Sequence, residues 1–161
     1  MRSYPQGVSV STTTYHSRPW GLTVSSFTSI SLNPPLVMVS IAKGSKSHEM
    51  FTNSDNFAIN MLAAGQEQIA EIFAGKVPPE RRFEYVRYRY GKSGAPILTD
   101  CSAYLDCKTA HIYEGGDHSI ILGEVIDGAA HGPLSPLVYF NRRYTTVATV
   151  YLETVFAPDM W

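Results

Sequence analysis

Apolar and β-branched residues alternate with polar ones over many short stretches of this chain, and a period of two is typical of half-buried β-strands. The pattern predicts strands over 7–14, 21–26, 56–62, 103–113, 119–126 and 145–152, with a shorter one at 136–140. Residues 36–42 are almost wholly apolar, which favours a central, buried strand. The first two strands are expected to form a hairpin through a turn at 16–19.

Helical signals are few and short. Residues 44–51 resemble a loop that opens a short helix, which Ser45 or Ser47 could cap. Apolar residues at helical spacing predict a second helix over 66–73 that Gly75 ends. Residues 78–94 are expected to be irregular. About seven strands without a βαβ rhythm predict a mainly β protein, an antiparallel barrel with short helical insertions, formed by a single domain over 1–161.

Composition narrows the class of protein. The chain is 44% hydrophobic and 17% charged, with a formal net charge of -1. This content excludes a disordered chain, and the absence of a basic field argues against a nucleic-acid binder. No apolar run is long enough to span a bilayer, and the N-terminus lacks a signal-peptide core, so a cytoplasmic protein is expected. Cys101 and Cys107 are interpreted as small core residues in a reducing compartment.

Small hydroxyl residues are concentrated between residues 23 and 31, where six of nine positions are Ser or Thr. An edge strand of this kind presents many small donors and acceptors along an open backbone, which suits a flat, polar ligand such as a flavin ring. The alternative is that these hydroxyls bond only to neighbouring protein groups.

Two further segments are candidates for ligand chemistry. The first, Gly44-Ser-Lys-Ser-His48, combines hydroxyls and a lysine at the start of a predicted helix, which would suit a phosphate; the alternative is a capped loop with a solvated lysine. The second, Gly115-Gly-Asp-His118, is a tight turn that presents His118 beside a carboxylate; the alternative is an ordinary hairpin turn. The five histidines show no metal-ligand spacing, so no metal is expected.

The order of several motifs resembles the short-chain flavin reductase family, the NAD(P)H:flavin oxidoreductases of two-component flavin monooxygenases. These motifs are Gly7-Val-Ser-Val, Gly21-Leu-Thr-Val-Ser-Ser-Phe-Thr-Ser, Asn33-Pro-Pro-Leu-Val, Ser45-Lys-Ser-His, Phe73-Ala-Gly and Gly116-Asp-His. The resemblance implies an FMN-binding split β-barrel, a homodimer with the flavin near the subunit interface, FMN or FAD with NADH or NADPH, and a partner monooxygenase that receives reduced flavin.

The resemblance also implies which residues form the site. The flavin-binding residues would be Thr23, Val24, Ser25, Ser26, Ser40, Ile41, Ala42, Ser45, Lys46, Ser47, His48, Ala74, Gly75, Arg82 and Phe83. His118 would face the nicotinamide as the catalytic residue, and Tyr139, Arg142 and Tyr144 would contact the pyridine nucleotide. Lys46 stands where the family often has arginine, which leaves the choice between FMN and FAD open.

Three other readings remain open at the sequence level. A non-enzymatic flavin-binding or haem-binding split barrel, such as a redox sensor or carrier, would keep the site without turnover of NADH. An enzyme resembling pyridoxamine-phosphate oxidase would need a basic cluster for the substrate phosphate, for which only Arg142 and Arg143 are available. A lipocalin-like binding barrel is a further alternative, but lipocalins have no Ser-Lys-Ser anion loop.

Overall fold

The computed structural model describes residues 2–131 and 135–148. Its strands are β1 (Gln6–Gly7), β2 (Ser9–Tyr15), β3 (Arg18–Val24), β4 (Thr28–Leu32), β5 (Pro35–Ala42), β6 (Asn56–Met61), β7 (Tyr88–Tyr90), β8 (Pro96–Leu98), β9 (Ala103–Gly115), β10 (His118–Ala130), β11 (Val138–Phe140) and β12 (Arg143–Thr145). The helices are α1 (His48–Thr52) and α2 (Glu67–Glu71), a π-helical turn (Ile72–Lys76) that continues α2, and a 3₁₀ helix (Pro79–Tyr85).

Seven antiparallel strands form the main sheet in the order β3-β2-β6-β9-β10-β5-β4, which leaves β3 and β4 as its edges. Alternate residues of a strand point to opposite faces, so the central strands supply two hydrophobic cores. Val10 packs with Phe73 and Leu98 on the side of α2, whereas Ile59 packs with Ile121 on the other side. The prediction of a mainly β protein with short helical insertions is confirmed.

The predicted first hairpin is present, with a shorter turn than expected. β2 pairs with β3 from Ser9–Val24 to Tyr15–Arg18, and only His16 and Ser17 form the turn. Both have positive φ, 48° and 60°, which suits a two-residue hairpin turn. β3 therefore begins before Gly21 and ends at Val24, so Ser25 and Ser26 lie beyond it.

β9 and β10 form a longer hairpin than the alternation predicts. They pair from His118–Gly115 to Ala130–Ala103, with register shifts on the way at Leu122/Gly123 and Val125/Asp127. The C-terminal parts of both strands are exposed, so no alternation of apolar and polar residues marks where the strands end. The turn consists of Gly116 and Asp117, and Gly116 has φ of 72°.

Several predictions of local structure are wrong. Residues 78–94, expected to be irregular, contain the 3₁₀ helix and β7, which pairs with β8. β4 was not expected as a separate strand; its residues are almost all exposed, and it pairs with β5 at the edge of the sheet. Ser47 occupies the N-cap position of α1, but its side chain makes no capping hydrogen bond; the Ser45 hydroxyl instead accepts the Ser47 backbone N–H at 3.2 Å.

Only the first four residues of the predicted last strand, 145–152, belong to the described part of the chain. β12 ends at Thr145 and pairs with β11, and no strand covers residues 146–148. Residues 149–152 lie outside the described part of the chain.

The two cysteines are free and buried. Burial raises the pKa of Cys101 to about 11 and that of Cys107 to about 12, so both thiols stay protonated near neutral pH. This agrees with the interpretation of both as core residues. Among the described helices, none has the length and apolar character needed to cross a membrane.

Replacement of Gly21 by alanine is expected to destabilise the fold. A Cβ atom at Gly21 would lie 2.8 Å from the Phe73 ring and 3.2 Å from the Ser11 carbonyl oxygen. We expect Gly21→Ala to lower the free energy of unfolding by about 1–3 kcal/mol, the usual cost of overpacking, measured by urea denaturation. Gly7→Ala is the matched control, because nothing lies within 4 Å of a Cβ there. Equal stability of Gly21→Ala and the wild type would contradict this packing.

Candidate functional site

A cavity of about 610 Å³ lies between the edge strand β3, the loop after β5 and the segment that follows α2. Its lining residues are Leu22, Thr23, Ser45, Lys46, Ser47, Phe73, Ala74, Gly75, Lys76, Val77, Pro78, Pro79 and Arg82. Three segments far apart in sequence thus converge here. Seven predicted flavin-binding residues meet in this cavity: Thr23, Ser45, Lys46, Ser47, Ala74, Gly75 and Arg82.

The charge of the cavity is one-sided. Lys46, Lys76 and Arg82 all line it, and no carboxylate is among its lining residues. Lys76 is partly neutralised by Glu71, 2.7 Å away, but both side chains are largely exposed, so water screens that pair. The cavity therefore suits an anionic ligand.

Arg82 is the most unusual group in the cavity wall, because it is only 6% exposed. Its Nε donates to the Val77 carbonyl oxygen at 3.1 Å and its Nη1 to the Gly21 carbonyl oxygen at 2.8 Å. No carboxylate of the described residues forms an ion pair with it. Burial lowers the pKa of this guanidinium, and the charge of Glu80 opposes that shift. The Arg82 guanidinium remains charged and has no carboxylate partner among the described residues. A bound anion would therefore supply its counter-charge.

The loop at residues 45–47 is held by local bonds. The Ser45 N–H donates to the Ala42 carbonyl oxygen at 2.9 Å, and the Ser47 N–H donates to the Ser45 hydroxyl at 3.2 Å. Because α1 has only five residues, its helix dipole would contribute little to anion binding, and an anion would depend on Lys46 and the serine groups.

The hydroxyl groups predicted to meet a flavin ring already donate within the protein. Thr23 donates to the Ala70 carbonyl oxygen at 2.6 Å, and Ser25 donates to Gln6 Oε1 at 3.1 Å. Ser26 donates to the Ser40 carbonyl oxygen at 2.9 Å and accepts the Ser40 N–H at 3.1 Å. As donors, these hydroxyls therefore follow the alternative interpretation, in which they bond to neighbouring protein groups. β3 is an edge strand, so alternate backbone groups along it remain available to a ligand.

None of the eight remaining predicted flavin residues is among the lining residues of the cavity, and three of them have other surroundings. Val24 is 8% exposed and belongs to the second core. Ser25 lines a separate cavity beside Gln6. Phe83 packs edge-on against Phe73 and Tyr88, with ring centroids 5.2 and 5.0 Å apart. These three residues could therefore contribute to flavin binding only through backbone atoms or by supporting the residues beside them.

The predicted residues of β5 lie beside the predicted catalytic histidine. Ala42 pairs with His118, and Ile41 pairs with Ser119. The Lys43 N–H also donates to the Asp117 carbonyl oxygen at 2.9 Å, and the Lys43 side chain forms an exposed ion pair with Glu114. Ser40, Ile41, Ala42, the loop at 45–48 and His118 therefore occupy one end of the sheet.

The His118 ring is oriented by its neighbour. Its Nδ1 lies 2.6 Å from Asp117 Oδ1, and this hydrogen bond is the main cause that lowers the pKa of Asp117. An ionised carboxylate can only accept, so the ring donates through Nδ1 and leaves Nε2 free. The His118 side chain is 42% exposed.

The predicted nucleotide residues lie on the β11–β12 hairpin. Tyr139 and Tyr144 face each other with ring centroids 5.5 Å apart, and Tyr139 and Arg142 line a separate cavity of about 440 Å³. Burial raises the pKa of Tyr144, and the nearby Glu71 adds to the shift. Because Glu71 pairs with Lys76, this hairpin lies close to the rim of the main cavity.

Lys76 is the main site residue that the sequence analysis missed. Gly75 has φ of 120°, which breaks the π-helical turn and precedes the extended Val77. Pro78 and Pro79 then start the 3₁₀ helix that returns Arg82 to the cavity. The cluster Gly-Lys-Val-Pro-Pro was a turn signal in the sequence, but not a sign of a ligand. Among the described residues, no cluster of His, Cys, Asp and Glu could hold a metal ion.

Anions are expected to stabilise this protein through the cavity. Binding to the folded state raises the melting temperature, so pyrophosphate should stabilise the wild type. In the double variant Lys46→Ala/Lys76→Ala we expect the pyrophosphate Kd to rise about tenfold, from the loss of two partly screened charges. Differential scanning fluorimetry measures the shift. Lys108→Ala, an exposed change outside the cavity, should behave as the wild type; an equal loss in both variants would exclude the cavity as the anion site.

Comparison with known proteins identifies the family of this chain. Residues 1–148 match the family described as Flavin reductase like domain. An NADH-dependent FAD reductase of Streptomyces globisporus is 44% identical over 159 residues, 97% of this chain and 82% of the relative. The reductase component of a flavin-dependent trigonelline monooxygenase of Acinetobacter baylyi is 37% identical over 91% of this chain, which spans 46% of that relative.

A solved structure shows the same fold. The crystal structure of the flavin reductase HpaC complexed with NADP+ is 39% identical, with a TM-score of 0.86 over 93% of this chain and 95% of that chain. The match confirms the predicted split β-barrel. Since the family match and the similarity to the Streptomyces globisporus relative each cover most of the chain, this protein belongs to the flavin reductase family, as its motifs predict.

Proposed function

We propose that this chain is an NAD(P)H-dependent flavin reductase that uses FMN or FAD and supplies reduced flavin to a partner monooxygenase. The observation that carries the proposal is the cationic cavity with the buried Arg82, in a chain of the flavin reductase family. A flavin held there would supply the hydride acceptor, N5, and a bound NAD(P)H would supply the hydride from nicotinamide C4. The protein's own part is to bind and align.

The residues present fit a phosphate-bearing flavin. Lys46 and the serine groups at 45 and 47 would hold the flavin phosphate. The guanidinium of Arg82 would pair with further negative charge on the ligand. Backbone groups of the edge strand β3 and the segment at 74–75 would lie along the ring, where N–H donors stabilise charge on its polar edge. This arrangement needs no nucleophile and no metal.

His118 is proposed to orient the nicotinamide. Asp117 fixes the ring through Nδ1, so the free Nε2 can bond to the carboxamide or donate a proton. Tyr139, Arg142 and Tyr144 would contact the rest of the pyridine nucleotide, because their hairpin lies near the cavity rim through Tyr144 and Glu71. The cofactor preference, NADH or NADPH, is not part of this proposal.

The reductase activity and the role of His118 can be tested together. NADH mixed with excess FMN or FAD should lose its nicotinamide absorbance over many turnovers. His118→Ala should slow flavin reduction on the order of tenfold to a hundredfold while the Kd of oxidised flavin stays nearly unchanged, since alignment of the reactants is lost. Stopped-flow absorbance measures the reduction step.

The control for His118 is His16→Asn, in an exposed hairpin turn at positive φ that asparagine tolerates. Unchanged reduction by His118→Ala would contradict the assigned role but leave the reductase activity standing. Binding of flavin without turnover in the wild type would favour the sensor or carrier reading.

The partner is proposed to be a flavin-dependent monooxygenase. The relative from Acinetobacter baylyi is by name the reductase component of such an enzyme, which supports the same arrangement here.

Free buried cysteines agree with a reducing compartment, so we propose that the protein is cytoplasmic.

A homodimer is proposed through the outer face of β5 and β10. Leu36, Met38, Ile120 and Leu122 lie on this face, away from the core, and all are only half-buried. Ala42 and His118 occupy the same face, since each strand pair alternates in register. A second copy seated there would border the predicted flavin site and cover apolar surface.

The dimer is tested by a charge on that face. Leu122→Glu should shift the mass measured by light scattering from two chains towards one, because an unpaired buried carboxylate opposes association. Tyr85→Glu, an exposed aromatic on the 3₁₀ helix, is the matched control and should leave the mass unchanged. A wild type of one-chain mass would exclude the dimer.

A further inference from the structure

We propose that His48 is a positioning residue whose hydrogen bond to Ser119 holds the loop at 45–47 in the conformation that receives the flavin phosphate. His48 Nε2 lies 2.9 Å from Ser119 Oγ. The inference rests on the proposed function, and it assigns His48 a support role in place of direct contact with the flavin. It also adds Ser119, which no motif singled out.

Ser119 is a firm anchor for the loop. It is 3% exposed and lies in β10, a strand bonded on both sides, to β5 and β9. Its backbone pairs with Ile41 in the strand that leads into the loop. A side chain bonded to Ser119 therefore shares the rigidity of the sheet.

Ser47 is buried, but the loop has few other hydrogen bonds to hold it there. The hydrogen bonds of residues 44–47 go to Ala42, to one another, or forward into α1. Among the described residues, the bond from His48 is the single hydrogen bond that joins residues 44–48 to a strand other than β5. Lys46, which must meet the ligand, is exposed and makes no hydrogen bond to a described residue. Without His48, the loop would sample more conformations before it binds.

The same anchor serves the nicotinamide side of the site. Ser119 directly follows His118, and the Lys43 N–H ties the start of the loop to Asp117 at 2.9 Å. The phosphate loop and the turn that carries His118 are thereby fixed to one end of β10. Loss of the His48 side chain is nevertheless expected to affect mainly the loop at 45–47, because the turn before His118 is held by the Lys43 backbone N–H.

The test compares FMN with riboflavin, which differ only in the phosphate. His48→Leu and Ser119→Ala should each raise the FMN Kd about fivefold to tenfold, the usual effect of losing one partly buried hydrogen bond, and leave the riboflavin Kd unchanged. His48→Gln, whose amide can reach Ser119, should restore most of the FMN affinity. Quenching of flavin fluorescence measures each Kd, and thermal unfolding checks that every variant is folded.

His131→Leu, an exposed histidine on no wall of the main cavity, is the control and should change neither Kd. Equal losses for FMN and riboflavin would overturn the inference, since they indicate a general disturbance. So would an unchanged FMN Kd, or a His48→Gln variant as weak as His48→Leu. Ser119→Ala decides the matter if His48→Leu does not fold.

The outcome for the wild type separates this inference from the proposed function. Binding of both flavins with equal affinity would leave the reductase proposal standing and overturn the role of the loop. Binding of neither flavin would overturn both.

Discussion

The buried guanidinium of Arg82 holds together the two walls of the main cavity. It donates to Gly21 on the edge strand β3 and to Val77 in the segment that follows α2. These residues are separated by more than fifty positions in sequence, and neither wall is a regular sheet neighbour of the other. Close packing supports the contact, since Phe73 fits against Gly21 only because glycine has no Cβ. The shape of the cavity follows from these two contacts.

This arrangement has an energetic cost that points to a ligand. A buried cation without a carboxylate partner destabilises a protein, and hydrogen bonds to carbonyl oxygens offset only part of that cost. Lys46 and Lys76 add further positive charge to the same cavity. A phosphate-bearing ligand bound there would offset this charge, and its binding would then stabilise the folded state. Charge left unpaired at a site is a common feature of functional surfaces.

The end of the sheet formed by β5 and β10 joins the parts that must act together. The loop at 45–47, which is proposed to hold the phosphate, follows β5, and the turn before His118 enters β10 opposite Ala42, the last residue of β5. Hydrogen bonds from Lys43 and His48 connect the two. Flavin and nicotinamide must stack in a set geometry for hydride transfer, so a shared rigid support for both is a physical requirement of the chemistry.

The sequence by itself determined the mainly β class, the central strands, the first hairpin and the family, because alternation and motif order are local properties. It also singled out Lys46 and Arg82. Only the tertiary structure decided that Lys76 faces the cavity, that β4 is an edge strand, and that the hydroxyls of Thr23, Ser25 and Ser26 donate to protein groups. Each of these depends on partners distant in the chain. A hydroxyl or a lysine looks the same in sequence whether it meets a ligand or a carbonyl oxygen, and packing makes that choice.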